Sequence, residues 1–243
     1  MRTSTGTLGI HLLGSPCFVQ DDLPLAQLHD RKLQALVFAL CCHQAGSRSH
    51  FARLLWPNTN PERAAGNLRV RLHKLRQICP NLIETNSEGL RLSEGIQVDA
   101  WFLFEADEPA PLAVARNFLH KMILNGHSFE DMPSFNALLS TYRAIYERKS
   151  LLRLQEHAEE LKSSGKRREC LIAAEEMLLI SPFDEQACRT VMEINVLEHD
   201  IPSAIQTYLR FKANITQALG IGPDPSLTSL YEKLLASATA RKP

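Results

Sequence analysis

Residues Leu54 to Gln77 read LLWPNTNPERAAGNLRVRLHKLRQ, an apolar Leu-Leu-Trp-Pro helix end followed by a basic amphipathic helix. Seven Lys or Arg (Arg48, Arg53, Arg63, Arg69, Arg71, Lys74, Arg76) fall between Arg48 and Gln77 against the single acid Glu62, although the chain as a whole carries 27 basic and 27 acidic residues and no net charge. The cationic charge is therefore local, the footprint expected of a surface that meets nucleic acid. At 100° per residue, Leu68, Leu72, Leu75 and Cys79 fall in one narrow stripe, with Ala65 and Ile78 beside it, and that stripe faces a core. The opposite arc carries Arg63, Asn67, Val70, Lys74 and Gln77, flanked by Arg69, Arg71, His73 and Arg76. A major-groove helix uses these side-chain types: Asn and Arg pair with base edges, Val meets a thymine methyl, and Lys or Arg neutralises phosphate. A solvated basic helix face would carry the same residues, so the neighbouring segments decide between the two.

Upstream, residues 8 to 28 break into short apolar runs around Gly14, Pro16 and the Asp21-Asp22 pair and read as strands. DRKLQALVFALCCHQ, Asp30 to Gln44, has Asp30 as N-cap, an apolar stripe of Leu33, Leu36, Val37, Leu40 and Cys41, and Gly46 as the stop, which makes a first helix. A short second helix, roughly Ser49 to Leu55, ends at Trp56-Pro57, and Asn58 to Pro61 form a connector to the basic helix, which starts near Glu62. Leu82 to Thr85, the turn Asn86-Ser87-Glu88-Gly89 and Leu90 to Leu92 read as a hairpin. Sheet, three helices and hairpin together make an α+β winged helix-turn-helix.

These residues resemble the OmpR-type winged-helix domain as it occurs in the bacterial antibiotic-regulatory-protein (SARP) family of transcription activators. The likeness rests on an N-terminal strand Leu8 to Leu13, the first-helix residues Arg31, Lys32, Ala35 and Leu36, the element Leu55-Trp56-Pro57, the Leu75-Arg76 end of the recognition helix, the wing Gly89-Leu90-Arg91-Leu92, and the closing Val98-Asp99. Leu90 replaces the aromatic residue usual in the wing, and the wing turn is short. The resemblance implies a DNA-binding domain over residues 1–99 in which the connector Asn58, Thr59 and Asn60 faces RNA polymerase. Position on the helix and resemblance together assign base readout to Asn67, Val70, Arg71 and Lys74. Phosphate and wing contacts fall to Arg31, Arg48, Arg53, Arg63, Arg69, His73, Arg76 and Arg91. Arg76 lies near the edge of the apolar stripe, where an ion pair inside the domain is an equal alternative, and Trp56, between Leu55 and Pro57, reads as a core anchor for the connector.

From Ala100 onward the composition changes to sixteen Lys or Arg against nineteen acids, with Leu, Ala and Met at helical spacing. Residues 100–243 read as a second, all-α domain with helices over 110–121, 135–163, 166–180, 184–198, 202–219 and 225–235. The run GKRRECL from Gly165 aligns with HDIPSAI from His199 at an offset of 34 residues, the tetratricopeptide period, with loose side-chain matches. Ser181-Pro182-Phe183-Asp184-Glu185 and the run LGIGPDP from Leu219 to Pro225 resemble signatures of the bacterial transcriptional activation domain that follows the winged helix in the same family. Tyr142, Tyr146, Phe183, Tyr208 and Phe211 sit at spacings that suit an interhelix core better than a binding groove. The repeat fold offers a concave surface for a peptide, a second protomer or a small molecule without choosing among them.

Other chemistries find little support. There is no Walker loop, G-x-S-x-G elbow or H-E-x-x-H pair, and Gly220-Ile-Gly222 is followed by Pro223, as at a helix C-cap, so neither an enzyme nor a cofactor is expected. The six cysteines lack C-x-x-C spacing and read as reduced core residues with no metal role. Met1 to Gly6 lacks a signal-peptide pattern and no run approaches the roughly 18 apolar residues needed to cross a bilayer, which places the chain in the cytoplasm, away from membranes. The reading is a transcriptional activator that binds directly repeated sites on double-stranded promoter DNA as a homodimer and contacts RNA polymerase. The alternative is a protein-interaction scaffold built on the helical repeats, with little or no DNA affinity.

Overall fold

Asp30 caps the first helix as its side chain predicts: Oδ1 accepts from the amides of Lys32 and Leu33, and α1 runs Arg31–His43. The computed structural model describes residues 7–21, 23–87 and 89–239; Met1 to Gly6, Asp22 of the acidic pair, Glu88 of the wing turn and the last four residues lie outside them. The helix ends at Gln44, which takes φ +54°, and Gly46, expected as the stop, lies two residues further, in the short strand β4 (Ala45–Gly46). Ser47 caps α2 (Arg48–Leu55), and Asn60 caps α3 (Pro61–Ile78), with Pro61 in the first turn where its missing N–H costs nothing.

Around these helices lie two sheets. In the first, β1 (Leu8–His11) pairs antiparallel with β2 (Cys17–Gln20) and parallel with β7 (Gln97–Val98), while β3 (Leu23–Gln27) forms the edge beyond β2. Asp99 closes this sheet, its carboxylate accepting from the amides of Leu12 at 2.7 Å and Leu13 at 3.2 Å. Burial pushes the Asp99 carboxyl above its ordinary range, and those amide donors act against the shift. The second sheet has the order β4-β6-β5, where β5 (Ile83–Thr85) and β6 (Leu90–Leu92) are the wing. Leu90, in the place of the family's aromatic, is 1% exposed.

The contacts of the chain divide into two units, the first comprising 1–108 with 120–146 and the second 109–119 with 147–243. The expected boundary after Asp99 thus falls inside the first unit. Residues 122–132 are strapped to the sheet and to α1: Gly14 N donates to Met122 O, Leu124 N to Leu12 O, and Asn125 N to Gly14 O. Arg143 Nη2 donates to Ile123 O at 2.8 Å, and Gln34, fully buried, donates to Leu28 O and lies 3.0 Å from His127 Nε2. Phe38 is ringed edge-on by Phe104, Phe135 and Tyr142.

The second unit is helical. The expected helix over 110–121 shrinks to α4 (Leu112–Arg116), because Asn117 closes it by donating to Ala113 O and, from Met122 on, the backbone is taken up by the strap. α5 (Pro133–Ser163) spans the division at Tyr146; α6 (Arg167–Ile180), α7 (Glu185–Leu197), α8 (Ile201–Leu219) and α9 (Pro225–Thr239) follow. The 34-residue offset appears as a conformation: Gly165 (φ +71°) and His199 (φ +62°) both turn left-handed, immediately before α6 and α8 begin two residues later. Tyr208 stacks on Tyr231 at 4.3 Å and, with Phe211, Cys188 and Met192, forms the core of this pair of repeats. Tyr146 is also buried and Tyr142 half-buried, whereas Phe183 is 39% exposed.

All six cysteines are free thiols; Cys41, Cys79, Cys170 and Cys188 are buried, and burial pushes Cys79 to about 11 and Cys188 to about 12. Among the described residues no helix is long and apolar enough to cross a membrane.

Candidate nucleic-acid interface

α3 owes its orientation to one apolar stripe. Ala64, Leu68, Leu72 and Leu75 are buried, and Cys79 N closes the helix on Leu75 O at 2.8 Å. Ala64 takes the stripe position expected of Ala65, which is exposed, because Ala64 stands one helical turn before Leu68 and roughly 40° from it, against 60° for Ala65. With that stripe on the core, Arg63, Asn67, Arg69, Val70, His73, Lys74 and Arg76 are exposed. Val70 is 52% exposed, an apolar side chain displayed among cations.

The cations divide by what they touch. Arg48, Arg53, Arg63, Arg69 and Lys74 make no ion pair or side-chain hydrogen bond with a described residue, so their charge is available to an outside partner. Arg71 is different: it is half-buried, and its Nε lies 3.0 Å from Asp30 Oδ2, an ion pair whose N–H is not aimed for a hydrogen bond. Asp30 therefore caps α1 with one oxygen and holds α3 with the other, and Arg71 would have to leave that pair to read a base. Arg76 Nη2 donates to Thr85 Oγ1 at 3.0 Å, fastening the end of α3 to the wing through a hydroxyl and not a carboxylate. Arg91 pairs with Glu84 across the wing, its Nε donating at 2.7 Å. Arg31 donates to Ser128 O at 2.7 Å and lies 3.6 Å from Asp131, so it serves the strap first.

The connector is built from both ends. Trp56 N donates to Ala52 O and Thr59 N to Trp56 O, while Asn60 Oδ1 accepts from Arg63 N at 2.9 Å. Asn58 and Asn60 are exposed and Thr59 half-buried, but only Asn58 and Thr59 have side chains without a capping duty. Trp56 is half-buried beneath the Lys32 ammonium, 5.7 Å from its ring. In the sequence Lys32 is legible only as a family-motif residue. It donates to Leu55 O at 2.6 Å and pairs with Asp131 at 2.8 Å, joining α1, the end of α2 and the strap, and holding the Asp131 carboxyl below its ordinary range. No local spacing could have revealed a partner so far along the chain.

A sheet, three helices and a wing, followed by helical repeats and with uncommitted cations on the third helix, define the architecture of a winged-helix transcriptional regulator. Residues 123–235 match the family model of the bacterial transcriptional activator domain. The chain is 23% identical over 248 residues to the transcriptional regulatory protein MoaR1 of Mycobacterium tuberculosis (strain ATCC 25618 / H37Rv), a match covering 95% of this chain and 77% of that protein. Its fold matches that of Mycobacterium tuberculosis EmbR, solved in complex with a low-affinity phosphopeptide, with a TM-score of 0.66 and 20% identity over 96% of this chain and 66% of that one, just under two thirds of its length. Residues 123–235 are thus a bacterial transcriptional activator domain, and the chain as a whole resembles the SARP-type transcriptional regulators that carry one.

Proposed function

We propose that this protein binds double-stranded promoter DNA in the cytoplasm as a homodimer on directly repeated sites, and activates transcription by contacting RNA polymerase through the connector Asn58 to Asn60. The observation that carries the reading is the split among the cations of α3. Arg71 and Arg76 are spent on holding the helix, while Arg63, Arg69 and Lys74, with Asn67 and Val70, stand outward and unpaired with any described residue. Base readout falls to Asn67, Val70 and Lys74, with Arg71 in support once released from Asp30. Phosphate contacts fall to Arg63, Arg69 and His73, extended by Arg48 and Arg53 of α2 and, where the strap and wing pairs open, by Arg31, Arg76 and Arg91.

Selection from random duplex DNA at about physiological salt is the test. Two half-sites at a fixed spacing near one helical turn are expected, with specific binding at least about 10³ tighter than nonspecific. Asn67→Ala with Lys74→Ala should abolish the enrichment. Lys74→Ala alone should lower the slope of log affinity against log salt by about one if Lys74 meets phosphate. No enrichment, and no salt-dependent affinity, would defeat the proposal. It would favour the scaffold reading, which a cavity of about 400 Å³ in the second unit supports, with Leu178, Val191 and Phe211 in its lining and Arg210 and Asn214 beside them.

The polymerase contact has a separate test. Asn58→Ala with Thr59→Ala should reduce activated transcription in vitro while leaving operator affinity unchanged, since neither side chain caps α3. Asn60→Ala is the wrong variant for this purpose, because it removes the cap and costs about 1 kcal/mol of helix stability. Unchanged activated transcription in the double variant would remove the connector from the polymerase interface.

A further inference from the structure

Gly66 stands in the middle of α3, where glycine is the poorest residue after proline: it loses the most backbone freedom on folding and leaves the backbone exposed. Most other described glycines have a reason inside the fold, and Gly222, which shares the open surroundings of Gly66, lies in the loop before α9 and not in a helix. Gly14, Gly89, Gly95, Gly126, Gly165 and Gly220 have positive φ, and a Cβ at Gly9 or Gly46 would press on Val19 or Phe51. Gly66 has ordinary helical backbone, and a Cβ built there would meet nothing within 4 Å. Nothing within the protein asks for glycine at this position.

On the helical wheel Gly66 lies roughly 160° from Leu68, at the outermost line of α3 with Val70 and Gln77. Its neighbours one turn away are Glu62, Arg63, Arg69 and Val70, all exposed, and the two arginines on either side have no partner among the described residues. Ala65, beside it, is also small and exposed. The outward surface of α3 thus dips at Gly66, half-buried between its neighbours' side chains, in a notch bordered by the free Arg63 and Arg69 guanidinium groups and by the Glu62 carboxylate.

We infer that Gly66 is the point of closest approach between α3 and the DNA, where a sugar-phosphate strand lies directly against the helix backbone while Arg63 and Arg69 reach past it to the phosphates on either side. A methyl group there lifts the strand from the helix, lengthens both arginine contacts and shifts Asn67 and Val70 away from the base edges. Glycine is kept at a cost to the stability of α3 because the contact surface needs the space. The inference rests on the DNA-binding reading and adds to it a steric requirement at a residue with no charge and no hydrogen-bonding side chain.

The test compares Gly66→Ala and Gly66→Met with wild type in thermal unfolding and in binding to the duplex selected by the wild-type protein. Both replacements are good helix formers, so Tm should rise by roughly 2–4 °C for Ala. DNA affinity should nevertheless fall at least about fivefold for Ala and further for Met, in the range of other overpacked contacts. The salt slope should stay near that of wild type, since no charge is lost, which separates this steric effect from the loss of Arg63 or Arg69. Wild-type affinity in both variants overturns the inference and leaves the DNA-binding reading in place. A fall in Tm overturns it as well, because the glycine would then be required by the protein's own packing. A wild-type protein without salt-dependent DNA affinity removes both.

Discussion

Gly89→Ala is expected to destabilise the wing and, with it, the whole first unit. Gly89 has φ +148°, a region of backbone space that side-chain-bearing residues essentially do not occupy. A Cβ there would lie 2.1 Å from Gly46 O and 2.8 Å from Gly46 C, and both are backbone atoms of the strand that pairs with the wing. No rotamer can relieve such a clash; either β4 parts from β6 or the turn at Asn86 to Gly89 opens. The turn cannot move freely, because Gly89 N donates to Asn86 Oδ1 at 2.9 Å and Asn86 N to Gly89 O at 3.2 Å. Parting the strands exposes Leu90 and releases Leu92 N from Gln44 O. Backbone strain, a broken ladder and one uncovered core leucine together cost about 4 kcal/mol or more, a large share of the 5–15 kcal/mol that holds a domain folded. Thermal unfolding of the full chain should show the transition of the first unit lowered by at least about 10 °C. A Tm within about 2 °C of wild type would mean that the wing is not held against β4. The variant differs from those at Gly66 in kind: there a methyl meets open space and stability rises, here it meets backbone and stability collapses.

The locally encoded parts of this fold are legible in the residues themselves. Asp30, Ser47 and Asn60 are short polar side chains placed just before apolar periodicity, and Asp30 and Asn60 cap helices within one or two residues of the expected starts. The cap of α2 lies two residues earlier than its expected first residue, Ser49, since Ser47 and Ser49 are equally good capping residues in sequence. The stripe Leu68, Leu72, Leu75 and Cys79 is set by arithmetic within one helix, and the displacement of Ala65 by Ala64 is the error that a wheel makes when the first turn is not yet fixed. The period between Gly165 and His199 is visible as weak similarity, although His199 gives no hint of the left-handed backbone it shares with Gly165. Partners across long separations are not legible in this way. Arg71 and Arg69 look alike in sequence, yet only Arg71 stands roughly 60° from the stripe, near enough to the groove edge to meet Asp30. Arg31 and Lys32 appear in sequence as first-helix cations, and only the return of the chain at 128–131 gives them acceptors. Sequence alone therefore over-counts the cations free to meet an outside partner, because exposure can be inferred from periodicity but prior commitment to a distant carboxylate cannot.

The same long-range return sets the second large effect, that the winged helix cut after Asp99 should not fold. Such a fragment contains every element of the winged-helix motif and ends on the carboxylate that closes the first sheet. It lacks Ile123, Leu124, Phe129, Met132, Phe135 and Leu139, each 2% exposed or less within the first unit. At about 2 kcal/mol per buried side chain, their absence removes on the order of 10 kcal/mol, as much as a domain has to lose. It also uncovers the aromatic ring of Phe38, which packs on Phe104, Phe135 and Tyr142, and leaves buried Gln34 facing water or void in place of His127. Lys32 loses Asp131 but keeps Leu55 O, so that ion pair, being partly solvated, is a minor part of the loss. A fragment ending at Tyr146 retains all of these groups and should unfold cooperatively, whereas the 1–99 fragment should give far-ultraviolet circular dichroism without a cooperative transition and should not bind the selected duplex. If 1–99 melts cooperatively within a few degrees of 1–146, the strap is peripheral to the fold. The expected outcome means that the family match beginning at residue 123 starts inside a folding unit that the winged helix needs, and that a fragment made to test the proposed DNA binding must carry the first residues of the activator domain.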